Sequence, residues 1–363
     1  MTFMLAANIW HWWIGVVLTI VGILTVAGVA AGYVKQVSAS RFPGKRQRRG
    51  HDEGCAIPDS GPQTWQHSPL IVDLLSRATF PVAGSTVTCA VSGGADSLAL
   101  LALAVASGLK VTAIHVDHAL RPESAGEADI VRSAAQSVGA DFQALTVSVG
   151  HGSNLEARAR QARYQALPSD VFTGHTADDQ AETVLLNILR GAGLDGLAGI
   201  RPTGGPSQLV SHPLLAIRRT ETEAVCQLLG WTPVSDPSNN DHSLLRNRIR
   251  QQILPLLNEA AHRDLTPILS RQAALMADDS TLLDELAAGI DPTDAKALSA
   301  APIALARRAI RRWLSTTHPP DAAAVERVLA VARGEVVACE LPGGIRISRT
   351  NQRISITPAP AQD

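Results

Sequence analysis

Cysteine and aromatic residues are scarce in this chain of 363 residues. Its four cysteines are far apart, and no two of them form a C-x-x-C pair. That spacing argues against a structural zinc site and a disulfide framework, and it is normal for a reducing compartment. Aromatic residues make up 4% of the chain and hydrophobic residues 45%. The length therefore allows one large α/β domain and a smaller one, with cores built mainly from alanine, valine, leucine and isoleucine.

Net charge is also nearly absent, because 32 Lys and Arg residues stand against 33 Asp and Glu residues. The balance hides one basic run without any acidic residue, formed by Lys35, Arg41, Lys45, Arg46, Arg48 and Arg49. The rest of the chain is acidic overall. A nucleic-acid partner therefore has to be held by local patches of positive charge.

Charged residues are missing altogether from residues 12–34, an apolar stretch long enough to cross a bilayer as a helix. The basic run that follows places its C-terminal side in the cytoplasm. No Lys or Arg precedes the stretch, which disfavours a cleaved signal peptide. We predict a transmembrane segment within residues 1–40 and a basic linker with Pro and Gly at residues 41–66. A buried core helix and a misassigned start are the alternatives.

Residues 86–103 contain a glycine turn, Ser92-Gly93-Gly94, and no lysine. Residues 86–103, TVTCAVSGGADSLALLAL, have the pattern of a strand, a tight turn and a helix. Gly93 and Gly94 allow close approach of a ligand, and the helix start offers unpaired N–H groups to an anion. Without a lysine after the glycines, a kinase-like P-loop is disfavoured. Asp96 would repel a phosphate unless Mg²⁺ bridged them; alternatively, it serves only the helix dipole.

Polar residues gather where two further predicted strands end. The buried strand 109–117 leads into HVDHALR at residues 115–121, and a short strand at residues 170–173 leads into Gly174 and His175. Open α/β sheets bind ligands at such strand ends. Solvated turns are the alternative.

Three acidic residues then crowd one helical turn, Asp178, Asp179 and Glu182. Such crowding is unfavourable unless a cation is bound, either Mg²⁺ or a substrate ammonium group. Asp179 and Glu182 are three residues apart and can grip one cation together. The alternative is a set of helix-start acids that face water.

The remaining chain predicts a glycine-rich loop at residues 190–197 that suits close approach to a ligand. Three arginines between residues 246 and 250 suit RNA phosphates, although a solvated helix face explains them equally well. Residues 260–334 are helical in pattern, and strand alternation begins at Glu335. The predicted fold class is an α/β parallel-sheet domain followed by a smaller, mostly helical domain, with an N-terminal transmembrane-like helix.

Six segments follow one another in order: SGGADS at 92–97, HVDHALR at 115–121, NLEARARQARY at 154–164, GHTADDQAET at 174–183, RGAGLDGL at 190–197 and DPSNN with RNRIR between 236 and 250. Together they resemble the tRNA(Ile)-lysidine synthases of the PP-loop ATP pyrophosphatase superfamily. The resemblance implies an adenine nucleotide alpha hydrolase-like catalytic domain at residues 67–256 and a tRNA-binding helical domain at residues 257–334. Short strands and a tail then occupy residues 335–363.

The resemblance also implies a reaction and its participants. ATP would adenylate the wobble cytidine of a CAU-anticodon tRNA(Ile), and L-lysine would then displace AMP to form lysidine. Asp96, Asp179 and Glu182 would be catalytic, with Mg²⁺ at Asp96 and lysine at Asp179 and Glu182. ATP would be bound by Ser92, Gly93, Gly94, Ala95, Asp96, Ser97, His115 and His175. The residues expected to contact tRNA or phosphate are Arg218, Arg246 and Arg248.

Three other functions compete with this one. A PP-loop enzyme that thiolates tRNA would usually need paired cysteines, and an amide-forming adenylating ligase would have no use for basic C-terminal helices. A silent, membrane-tethered nucleotide sensor would bind ATP without releasing pyrophosphate. The sequence leaves open a homodimer and a tether through residues 12–34, which would hold the cytoplasmic catalytic domain at the inner face of the plasma membrane.

Overall fold

The computed structural model describes residues 65–117, 124–147, 155–204, 209–234, 241–315 and 320–358. The predicted membrane segment at residues 12–34 lies outside these ranges, as does nearly all of the predicted linker. Within the described ranges, no helix combines the length and the apolar character needed to cross a membrane.

The first half of the described chain contains a parallel sheet. Its strands β1 (Thr86–Ala90), β2 (Lys110–Asp117) and β3 (Asp141–Thr146) lie side by side in that order. On the other side of β1, Phe172 forms isolated parallel bridges to β1 and to Ser211. The sheet therefore grows first in one direction from β1 and later in the other. The carboxyl ends of β1 and of the Phe172 segment flank the point where the direction changes, which is where open α/β sheets bind ligands.

The fourth strand is shorter than the predicted strand 170–173. Phe172 N–H donates to the Thr88 carbonyl at 2.8 Å, but a turn immediately before it joins the Val171 N–H to the Pro168 carbonyl at 3.3 Å. With the turn on one side and the loop at Gly174 on the other, Phe172 is the one residue of this segment that forms bridges.

Seven helices and two short strands complete this half. They are α1 (Pro69–Arg77), α2 (Ala95–Ala106), α3 (Ser124–Val138), α4 (Leu155–Ala166), α5 (Ala177–Leu189), α6 (Leu194–Leu197), β4 (Thr203–Gly204), β5 (Val210–Ser211) and α7 (Arg219–Leu228). Helix α2 lies in the centre, because its residues from Leu98 to Ala104 are apolar on every face and fully buried. Helices α1, α3 and α7 pack around it.

The second half is mostly helical and ends in three antiparallel strands. Its elements are α8 (Leu245–Arg248), a π-helix (Ile249–Ile253), α9 (Leu254–Ala261), α10 (Thr266–Ala288), α11 (Ala295–Ala300), α12 (Ile303–Leu314), α13 (Ala322–Arg333), β6 (Ala338–Leu341), β7 (Ile345–Thr350) and β8 (Arg353–Pro358). A separate core there includes Leu298, Ile310, Leu329 and Ile347. Helix α10 packs against α5 and α6 and so joins the two halves. A parallel-sheet α/β domain followed by a mostly helical one confirms the predicted fold class at this level.

Candidate active site

The glycine turn after β1 is held in a fixed shape by its own side chains. Gly93 has a φ of +89°, which favours glycine, and a Cβ atom there would lie 3.0 Å from Val234 Cγ2. The Ser92 N–H donates to Ser97 Oγ at 3.1 Å, and Ser97 Oγ donates to the Gly94 carbonyl at 2.9 Å. The predicted ATP-binding residues Ser92 to Ser97 therefore form one compact turn that opens helix α2.

Gly174 approaches the start of α2 too closely for any larger residue. A Cβ atom on Gly174 would lie 2.6 Å from the Asp96 carbonyl oxygen and 3.0 Å from Ser97 N. The loop after Phe172 thus contacts the glycine turn at the carboxyl ends of β1 and of the Phe172 segment, where the strand order reverses. This contact brings the two predicted site segments, 92–97 and 174–183, together.

Both carboxylate oxygens of Asp96 have donors from α7. Thr222 Oγ1 donates to Oδ1 at 2.5 Å, and Arg219 Nε donates to Oδ2 at 3.2 Å. Burial raises the pKa of Asp96 above its ordinary value, although Arg219 and Thr222 act to lower it. Asp96 is therefore fixed by two residues that the sequence did not identify.

Asp179 divides its two oxygens between two tasks. Oδ2 accepts from the Thr176 backbone N–H at 3.0 Å and from Thr176 Oγ1 at 2.9 Å, which satisfies the start of α5. Oδ1 accepts from Arg219 Nη2 at 3.2 Å and from Arg246 Nη2 at 3.3 Å. Burial alone would raise the pKa of Asp179, but the guanidinium groups outweigh burial and lower it.

Glu182 is bound by three arginines and is almost fully buried, with 1% of its side chain exposed. Arg250 donates through Nε at 2.6 Å and through Nη2 at 3.0 Å. Arg246 Nε donates at 3.0 Å and Arg219 Nη1 at 3.3 Å. A carboxylate this buried is tolerated only when it is paired. The crowded acids of α5 therefore already have cations, which the chain itself supplies.

Arg219 is the residue that joins these carboxylates. Its guanidinium contacts Asp96, Asp179 and Glu182. Burial would lower the pKa of Arg219, but the three carboxylates raise it above its ordinary value. Sequence reasoning missed it because no local spacing connects α7 to α5.

The three arginines predicted to contact RNA have different surroundings. Arg218 binds Asp178 through Nε at 3.0 Å and through Nη2 at 3.1 Å, and it also pairs with Asp264. Arg246 binds the carboxylates of α5, as described above. Arg248 is exposed. The helical spacing contains a signal for this difference, since residues four apart share a face and Arg246 therefore faces the same way as the overlooked Arg250, whereas Arg248 does not.

Two of the predicted nucleotide-binding residues are histidines near the turn. His115 is buried, its Nδ1 lies 2.9 Å from the Val91 carbonyl, and its Nε2 has no hydrogen-bond partner within the described residues. His175 Nδ1 lies 2.8 Å from Thr173 Oγ1, and its ring meets that of His212 edge-on at 4.8 Å. Burial lowers the pKa of His175 to about 4, so its ring is neutral at pH 7.

The glycine-rich loop at residues 190–197 contacts the helical half. Asp195 accepts a hydrogen bond from Ser280 Oγ at 2.6 Å and pairs with Arg308 at 2.7 Å. These contacts dock α6 onto α10 and α12. They give this loop a structural role, and its predicted contact with a ligand stays a prediction.

A cavity of about 1250 Å³ opens between α5 and α10. Its lining includes Gln180, Arg201, His212, Arg271 and Arg312. The glycine turn and the carboxylates of Asp179 and Glu182 do not line it. The cavity therefore adjoins the carboxylate cluster across α5 and does not contain it.

The described residues contain no group of three or more His, Cys, Asp or Glu side chains placed to hold a metal ion. Mg²⁺ commonly uses only one or two carboxylates together with substrate phosphates. Asp96 fits that requirement, because Thr222 orients its carboxylate. Its Oδ2 also accepts a cation in this structure, the Arg219 guanidinium. A metal ion bound at Oδ2 would lie beside the Arg219 guanidinium.

Two family profiles match the chain. A PP-loop domain matches residues 71–257, and a TilS substrate binding domain matches residues 294–354. The first profile covers the glycine turn and all of the carboxylate cluster. The second covers the last helices and the C-terminal strands.

Curated relatives are similar over most of the chain. A tRNA(Ile)-lysidine synthase from Nocardia farcinica is 39% identical over 74% of this chain and 86% of its own length. One from Rhodococcus erythropolis is 42% identical over 63% of this chain and 73% of its own. One from Mycobacterium tuberculosis is 40% identical over 71% and 83%, respectively.

Proposed function

Because the chain belongs to the tRNA(Ile)-lysidine synthase family, we infer that it joins L-lysine to C2 of the wobble cytidine of CAU-anticodon tRNA(Ile). ATP is consumed through an adenylated tRNA, and AMP and pyrophosphate are released. The observation that carries the proposal is the contact between the glycine turn and Gly174, just before the acidic start of α5. It supports the proposal because a turn with backbone N–H donors lies near carboxylates, which suit an amine. Neither tRNA thiolation nor amide formation is favoured.

The glycine turn is proposed to bind the pyrophosphate portion of ATP. The N–H groups from Gly93 to Asp96 lie at the start of α2, where backbone donors and the helix dipole favour negative charge. Asp96 is the proposed ligand of Mg²⁺, which would neutralise charge that develops on the departing pyrophosphate. His115 and His175 are proposed to border the nucleotide, and the unpartnered Nε2 of His115 supports this assignment.

Asp179 and Glu182 are proposed to bind the lysine ammonium group and to help take up its proton. Their present partners are guanidinium groups, so lysine has to displace at least one of them. The nearest available oxygen is Oδ1 of Asp179, because Oδ2 already caps α5.

The tRNA is proposed to approach through the cavity between the two halves and along the exposed face of α8. Arg271 and Arg312 line that cavity with exposed side chains, and Arg248 is exposed on α8. Arginine pairs well with phosphate groups. Residues 67–256 would then be the catalytic domain and residues 257–334 the main tRNA-binding domain, with residues 335–363 attached to it. A tRNA substrate places the reaction in the cytoplasm.

The test is pyrophosphate release by the full chain, with and without L-lysine and a CAU-anticodon tRNA(Ile) transcript, while labelled lysine is followed into the tRNA. We expect incorporation that disappears when the wobble cytidine is replaced. Pyrophosphate release without lysine incorporation would contradict the proposed reaction and favour another PP-loop activity.

The lysine assignment is tested by Glu182→Ala. We expect a raised KM for lysine and retained formation of the adenylated tRNA, since the glycine turn does not contact Glu182 directly. If adenylation is lost in a variant that still melts cooperatively, Glu182 orders the arginines for the first step and does not bind lysine.

A further inference from the structure

Arg219 stands where a metal ion would need to bind. Its Nε lies 3.2 Å from Asp96 Oδ2, and the other Asp96 oxygen is taken by Thr222. The remaining guanidinium nitrogens lie 3.2 Å from Asp179 and 3.3 Å from Glu182. One guanidinium thus serves as the shared cation of three largely buried carboxylates.

The charges within this cluster balance without any ligand. Three carboxylates, Asp96, Asp179 and Glu182, face three arginines, Arg219, Arg246 and Arg250. In the described contacts Arg246 and Arg250 pair with Asp179 and Glu182, so Arg219 supplies the ion pair at Asp96. A metal ion that arrived alone would bring two further positive charges against a guanidinium already in contact with the same oxygen, and this repulsion opposes binding.

ATP changes this balance because its phosphates are anions that a guanidinium can bind in a bidentate manner. Arg219 would leave Asp96 for a phosphate oxygen, and Oδ2 of Asp96 would then be free to hold the metal ion that accompanies the nucleotide. Resting on the proposed function, we propose that Arg219 and a divalent metal ion compete for Asp96, so that the metal ion binds tightly only together with ATP.

The proposal makes Arg219 a positioning residue with a measurable effect in the absence of any substrate. Mn²⁺ binding to the full-length protein without nucleotide is measured by EPR titration. We expect Arg219→Gln to lower the Kd for Mn²⁺ about tenfold, because glutamine removes the competing charge. Replacing Asp96 as well, by Asp96→Asn in the Arg219→Gln background, should restore the wild-type Kd. An unchanged Kd in a folded Arg219→Gln protein would overturn the proposal.

Arg218→Gln is the matched control. Arg218 precedes Arg219 in the chain and loses ion pairs with Asp178 and Asp264, but it does not contact Asp96. Its Kd for Mn²⁺ should equal that of the wild type. An equal decrease in both variants would attribute the effect to general loss of positive charge and would also overturn the proposal.

Two measurements keep the outcomes separable. Circular dichroism melting establishes that each variant is folded; if Arg219→Gln is not, Arg219→Lys replaces it. Lysine keeps the charge but cannot bridge three carboxylates, so a lower Kd is still expected, and an unchanged Kd in folded Arg219→Lys overturns the proposal. Lysine incorporation by the wild type is measured in parallel. Its absence would refute the proposed function, whereas the Mn²⁺ comparison alone decides the competition at Asp96.

Discussion

Gly174 is constrained by its neighbour across the site and not by its own backbone. Substituting alanine would place a Cβ atom 2.6 Å from the Asp96 carbonyl, which belongs to the backbone and has little freedom to move. We expect Gly174→Ala to lower the free energy of unfolding by about 1 to 3 kcal/mol and to reduce pyrophosphate release, because Asp96 is displaced. Urea unfolding and the pyrophosphate assay check both effects.

Gly193→Ala is the control for Gly174→Ala. Gly193 has a φ of −80°, and no atom lies within 4 Å of a Cβ built there. Its stability and activity should stay close to those of the wild type. Equal effects at the two glycines would show that lost glycine freedom, and not the contact with Asp96, is responsible.

His175 links stability to pH. Burial lowers its pKa to about 4, against an ordinary value of 6.5 in the unfolded chain. Between these values the unfolded chain binds a proton that the folded protein does not, so stability falls as the pH is lowered from about 6.5 towards 4. We expect the wild type to lose roughly 1 to 2 kcal/mol more than His175→Gln between pH 7 and pH 5.

Urea unfolding at several pH values measures this difference, with His67→Gln as the control. His67 is an exposed residue just before α1, so its replacement should leave the pH dependence of the wild type unchanged. A His175→Gln protein whose stability follows the wild type at every pH would contradict the assignment of a buried neutral ring.

At the scale of elements, two adjacent arginines of α12 differ in their contacts, because Arg308 joins α12 to α6 and α10 whereas Arg307 forms a surface ion pair. The side chain of Arg308 is 11% exposed and bonds Asp195 of α6 and Asp284 of α10. Arg307 is 50% exposed and pairs only with Glu326 among the contacts described. We expect Arg308→Met to cost about 1 to 2 kcal/mol of unfolding free energy, because it removes a mostly buried guanidinium that bonds two carboxylates where α6, α10 and α12 meet.

Arg307→Met should change stability by less than about 0.5 kcal/mol, because exposed ion pairs contribute little. The two variants are compared by urea unfolding at the same ionic strength. Similar losses for both would mean that Asp195 does not hold α6 in place and that the glycine-rich loop has another use.

At the scale of the whole molecule, the folded part of the catalytic half includes Trp65. Its side chain packs against the core of the parallel-sheet domain, and its carbonyl accepts from the Ser68 N–H at 3.1 Å. Trp65, predicted from the sequence to lie in the linker at residues 41–66, therefore packs with the catalytic half. A chain that begins at Thr64 should keep wild-type lysine incorporation, since no described contact requires residues before it.

A chain that begins at Gln66 should be less stable by about 1 to 2 kcal/mol, because it loses the Trp65 side chain from the core. Thermal melting and labelled-lysine incorporation distinguish the two shortened proteins. An inactive but folded chain from Thr64 would show that residues 1–63 take part in the reaction.

Local sequence patterns predicted much of the fold, because strand alternation, glycine turns and apolar helices depend on residues that are neighbours in the chain. The alternation in β1, the two glycines and the apolar helix α2 follow from backbone preferences and burial on neighbouring residues. The parallel-sheet domain and the mostly helical domain after it were predicted from the same kind of pattern. The strand at residues 170–173 was overestimated, because its length depends on a turn at Pro168 and on two neighbouring strands that only the folded sheet supplies.

The positions of the acidic residues and of the glycine turn could be read from the sequence alone, because both lie in short segments with recognisable spacing. The sequence also indicated that the crowded carboxylates need a cation. Only the tertiary structure decided which cation is present, since Arg219, Arg246 and Arg250 come from helices distant in the chain. Charge pairing between distant segments leaves no periodic signal in a sequence, whereas burial of a carboxylate enforces it once the chain has folded.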